Sequence, residues 1–81
     1  MLTYTEAVLV LILSSGDTVL DTKVVRLFKK PWHCAVFNHS AEHDKDRLAH
    51  GYRYWHKNKK YAQPGYTISF QCKHVGPIYT A

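Results

Sequence analysis

At 81 residues the chain reads as a single domain spanning 1–81, and its 46% apolar content, with six Tyr, three Phe and two Trp, excludes a disordered tail. Its longest apolar run, Ala7 to Leu13, falls far short of the roughly 20 residues of a membrane-spanning helix; an acid and no base precede it and no small-x-small cleavage site follows, so the cytoplasm is the expected location. The net charge of +5 is unevenly spread: residues 1–46 carry five bases against all six acids, and residues 47–81 carry six bases and no acid, which points to an anionic partner, nucleic acid first.

Tyr4 to Leu13 is rich in Val, Leu and Ile. The cluster Ser14-Ser15-Gly16-Asp17 then signals a turn, and Thr18 to Phe28 resumes with Thr and Val, so the pair reads as a β-hairpin. Two helices, the first capped by Thr5 and stopped by Gly16, are the competing reading; β-branched residues in the second segment favour strands. Lys29-Lys30-Pro31 breaks the pattern, and Trp32 to Phe37 reads as another strand or an extended lead-in. Cys34 and Cys72, the only cysteines, read in a reducing compartment as buried apolar fillers rather than as a bridge.

Ser40 offers a helix N-cap, with Glu42, Asp44 and Asp46 near the positive end of the helix dipole and Lys57, Lys59 and Lys60 at the far end, before Pro64-Gly65 closes the element. Ala41, Lys45, Leu48, Tyr52 and Trp55 follow one helical stripe, which predicts that Leu48, Tyr52 and Trp55 face the sheet. Gly51, near the middle, implies a close approach to the sheet or a kink. Tyr66, Ile68, Phe70 and Cys72 alternate with polar residues as a strand that Gly76-Pro77 ends. The expected fold is therefore α+β: a small, mostly antiparallel sheet of three or four strands with one long helix packed on it, and a core of Leu48, Tyr52, Trp55, Ile68 and Phe70. An open edge strand on so small a sheet also suits a strand-paired homodimer.

No cofactor is expected. Cys34, His39, His43, Cys72 and His74 include zinc-ligand types but lack paired knuckle spacing. No G-x-S-x-G, H-E-x-x-H or P-loop occurs, so an enzyme is not expected; a metal-free ribonuclease built on His50, His56, Arg53 and Lys57 is the minority reading. With Leu48 set toward the core, Asp46, His50, Arg53, Lys57 and Lys60 lie within about 60° of the opposite pole and His43, Tyr54 and Tyr61 flank them. Arginine and lysine pair with phosphates while tyrosine rings stack on unpaired bases. Arg47, His50, Arg53, Tyr54, Lys57, Lys60 and Tyr61 are accordingly the candidate polyanion-binding residues of a non-enzymatic basic binding protein, with Lys29, Lys30 and Lys73 extending the surface. The alternative is a small inhibitor or adaptor, of the phage or mobile-element accessory type, that blocks a larger enzyme or complex by docking Lys29, Lys30 and Trp32 on an acidic protein surface.

Overall fold

The computed structural model describes residues 3–80. Strand β1 (Thr3–Ser15) turns into β2 (Thr18–Phe28), helix α1 (Pro31–His39) follows, a 3-10 turn (Ala41–His43) leads into helix α2 (Asp44–Lys57), and a second 3-10 turn (Lys59–Tyr61) precedes β3 (Tyr66–Thr80). The three strands form one antiparallel sheet in the order β2-β1-β3, so the fold is α+β. No helix among the described residues is long and apolar enough to cross a membrane.

The hairpin forms as the turn residues predict. Ser15 pairs with Thr18 across a two-residue loop, and Gly16, at φ +59, takes the left-handed conformation that a type II′ turn needs at its first central position. β1 lies at the centre of the sheet, so it is flanked on both sides and its apolar run is buried with almost no alternation: Ala7 to Leu11 and Leu13 are all buried. Ala7, Leu9, Leu11 and Leu13 face the helices, and Val8 and Val10 the opposite side, where Val24 and Leu27 of β2 are exposed.

Three expectations are corrected. Trp32 to Phe37 lies within a helix, not a strand: Pro31 stands in the first turn, where its missing N–H costs nothing, and Cys34 and Phe37, three residues apart, turn to one side and pack on Ala7 and Leu9. Cys34 and Cys72 are joined in a disulfide, with a Cα–Cα distance of 6.0 Å, that fastens α1 to β3. β3 does not end at Gly76-Pro77 but runs on to Thr80. Thr5 pairs with Ile78 and Ala7 with His74, so Val75, Gly76 and Pro77 form a bulge on an edge strand, where a proline's missing donor is tolerated.

The largest correction concerns the rotation of α2. Its buried residues are Gly51 and Tyr54, while Leu48 is 60% and Tyr52 72% exposed, and Trp55 is only half-buried. Arg47, Gly51, Tyr54 and Asn58 form the inward stripe, displaced by one residue, about 100°, from the expected one. Polar anchors set this phase. Arg47 Nη1 donates to the Phe37 carbonyl (2.6 Å) and its Nη2 to that of Ser40 (3.3 Å), closing α2 onto the end of α1 while pairing with Asp44. Tyr54 packs on Leu11 and Leu13, and its hydroxyl donates to Asp21 Oδ2 on β2 (2.8 Å). Ile68 and Phe70 do face the core, partly buried against these side chains. Gly51 does not approach the sheet closely, since a Cβ there would meet nothing within 4 Å, and the helix runs unbroken through it from Asp44 to Lys57.

Candidate nucleic-acid interface

With Tyr54 turned inward, one flank of α2 lies along β2 and carries the charge. His50, Arg53 and Lys57, spaced i, i+3 and i+7, line a cleft of about 310 Å³ whose other wall includes Lys23 of β2 and whose floor includes Leu11 and Val25. No acid lines it. The two acids nearest in sequence are engaged elsewhere: Asp21 accepts from Tyr54, and Asp46 lies 3.2 Å from His43 Nδ1. Burial, then the Arg53 guanidinium with Arg26 and Lys23 beyond it, lowers the pKa of His50, against an opposing pull from Asp46. At neutral pH that imidazole is uncharged and Lys23, Arg53 and Lys57 supply the cleft's field.

The outer side of α2 differs. Tyr52, Arg53, Trp55, His56 and Lys57 line an open concavity, so Arg53 and Lys57 border both surfaces. A third depression of about 260 Å³ lies toward β3, between Leu48, Gly51, Tyr52 and Trp55 on the helix and Ile68 and Phe70 on the strand.

Of the candidate polyanion-binding residues, His50, Arg53 and Lys57 are brought together. Lys60 is exposed beyond the helix end, its Nζ 4.8 Å from the Tyr61 ring. Tyr61 is half-buried and packs edge-on against Tyr66. Two residues are withdrawn from the surface: the side chain of Arg47 is 14% exposed and committed to the carbonyls of Phe37 and Ser40, and Tyr54 is 5% exposed with its hydroxyl on Asp21. Burial and the bond to the Asp21 carboxylate push the Tyr54 phenol up to about 12. Neither offers a group to a ligand.

Lys23 was not legible as a site residue, because it belongs to the half of the chain with no net positive charge; its signal is its place on the helix side of β2, where it pairs with Leu11 of β1. Trp32, on α1, is 63% exposed with Val36 exposed beside it; Lys29 is exposed, and Lys30 is paired with Glu6 at 3.8 Å. His50 lines the cleft and His56 the outer concavity, so the structure does not bring the two histidines of the ribonuclease reading into one site. Among the described residues no three His, Cys, Asp or Glu side chains gather as metal ligands.

Comparison with protein-family models, with characterised proteins and with solved structures returned no match.

Proposed function

We propose that this chain is a small non-enzymatic binding protein that engages nucleic acid or another polyanion through the cleft between α2 and β2. One observation carries the reading: cations from two elements far apart in sequence, Lys23 on one side and Arg53 and Lys57 on the other, border a single cleft that no acid lines. Like charges gathered beside one another favour an anion between them, which supports a polyanionic partner. Lys60, exposed beyond the end of α2, is a further cation open to such a partner.

Binding should be strongly salt-dependent. The slope of log K against log salt is about −0.7 per phosphate contacted for a single strand and about −0.9 for duplex DNA. Lys23→Gln, Arg53→Gln and Lys57→Gln should each shrink that slope by roughly one contact, measured by fluorescence anisotropy of labelled oligonucleotides over a salt series. A triple variant that binds with unchanged affinity and slope overturns the reading.

The exposure of Trp32 and Val36 on α1 supports a second reading, an adaptor or inhibitor that docks on an acidic protein surface, since an exposed tryptophan is a strong interface anchor. Trp32→Ala separates the two: it weakens capture of a protein partner and leaves polyanion binding unchanged. Action in the cytoplasm requires the fold to survive with Cys34 and Cys72 as thiols, because a reducing compartment keeps them so.

A further inference from the structure

We infer that the ligand is a single-stranded nucleic acid whose bases stack on Tyr52 and Trp55 while its phosphates lie against Arg53 and Lys57; the inference rests on the polyanion reading above. Because Tyr54 takes the inward place, Tyr52 is left with 72% of its surface exposed, and Trp55, half-buried against the Tyr54 cluster, keeps part of its indole open. Tyr52 and the open part of Trp55 border one concavity, and contiguous exposed apolar surface of this kind marks interaction sites.

The location of the pair selects the partner. Tyr52 and Trp55 share one concavity with Arg53, His56 and Lys57, and Arg53 and Lys57 are the same cations that border the cleft against β2. Arg53 and Lys57 stand one helical turn apart, about 6 Å along the axis. A strand laid along this flank meets cations on one side and ring faces on the other, with no acid lining either concavity. A duplex satisfies only half of this arrangement, because its bases are already stacked and paired and expose no ring face to Tyr52 or Trp55. A single strand satisfies both halves, since every base has a face to stack and every linkage a charge to pair. A protein partner would find the aromatics suitable, but Arg53, His56, Lys57 and the nearby Lys59 and Lys60 would demand a matching run of acids, whereas a polynucleotide carries that charge at every residue.

The test measures binding of labelled oligo(dT) and oligo(rU) and of a duplex of equal length, in a Trp32→Phe background so that Trp55 is the only fluorescent indole. The expected result is preference for the single strands, quenching of Trp55 on binding, and about tenfold to a hundredfold weaker binding for Tyr52→Ala with an unchanged salt slope. Because Tyr52 is exposed, that variant keeps the fold; Trp55→Phe, which retains a ring, should lose less. Equal binding of duplex, with no quenching and no effect of Tyr52→Ala, overturns the stacking inference and leaves the polyanion reading standing. No binding of any nucleic acid or of heparin at low salt overturns both. Loss of a protein partner on Tyr52→Ala, with oligonucleotides unbound, assigns the aromatic rim to a protein interface and overturns the inference.

Discussion

At the scale of single residues, Tyr54 and Leu48 exchange the roles that hydropathy alone assigns them. A leucine is the more apolar of the two, yet Tyr54 is buried and Leu48 exposed, because a tyrosine fills a core position and also carries a hydroxyl that reaches Asp21 on the edge strand. Tyr54→Ala should therefore cost about 3–5 kcal/mol of stability, as other large-to-small core changes do. Tyr54→Phe should cost about 1–3 kcal/mol through loss of a bond to a charged acceptor. Leu48→Ala and Tyr52→Ala should stay within about 0.5 kcal/mol, the range of ordinary surface changes. Urea titrations of the four variants check the rotation of α2; a Leu48→Ala cost as large as that of Tyr54→Ala would return the helix to the phase its apolar stripe suggests.

His50 supplies a pH-dependent test. Its pKa is lowered in the folded protein, by burial first and then by Arg53, so the unfolded chain binds the proton more readily. The sign follows: its contribution to stability is present above the ordinary histidine value of about 6.5 and is lost as pH falls below it toward the lowered folded value. His50→Gln should flatten that part of the stability profile. An anion in the cleft acts in the opposite direction by favouring the imidazolium, so ligand binding should take up a proton and tighten as pH falls, measured as the pH dependence of Kd for wild type against His50→Gln.

At the scale of elements, α2 is held at its ends and along one stripe rather than by broad apolar contact with the sheet. Arg47 ties its first turn to α1, and Tyr54 its last turns to β2. Asn58 closes the helix, its backbone N–H donating to the Tyr54 carbonyl at 2.9 Å and its Nδ2 to the same oxygen at 3.0 Å. Between these anchors Gly51 faces inward but leaves open the depression toward Ile68 and Phe70. Gly51→Ala should stabilise the protein by about 0.5–1 kcal/mol, since alanine restricts the unfolded chain and its methyl meets nothing within 4 Å. A loss of stability, read as a lower Tm in calorimetry, would mean that helix and sheet are closer than the open depression implies.

At the scale of the whole molecule, the chain is long for its size: it measures 40 × 25 × 24 Å, with a radius of gyration of 13.6 Å against about 12 Å for a typical domain of this length. Strands of 13 and 15 residues set the long axis, and two helices cover one face of the sheet. So thin a body has little core to spare, which gives the Cys34–Cys72 disulfide a large share in its stability. The bridge spans 38 residues and contributes about 4 kcal/mol through the entropy of the closed loop. Reduction, or the double change Cys34→Ser and Cys72→Ser, should lower Tm by about 15–30 °C, followed by thermal denaturation with and without dithiothreitol. An unchanged Tm would show that the two side chains act only as apolar filling.

Much of the architecture was legible in local chemistry. Gly16 in its turn, the apolar run of β1, the alternation of β3 and the Ser40 cap, which accepts from the Glu42 N–H, each act over a few residues, and the α+β order of elements followed from them. The gathering of positive charge in residues 47–81 was likewise plain in the sequence, and so was the membership of His50, Arg53 and Lys57 in one helix flank. Only the tertiary structure decided which flank. The rotation of α2 is settled not by its apolar stripe but by Arg47 reaching back to α1 and Tyr54 reaching across to Asp21, bonds whose partners lie 10 and 33 residues away and leave no periodic trace. That one-residue rotation buries Tyr54, exposes Tyr52 and brings the α2 bases beside Lys23. The pairing of Cys34 with Cys72 was equally beyond the sequence, since a disulfide depends on two backbones coming within reach, and here that waits on α1 folding as a helix over β3.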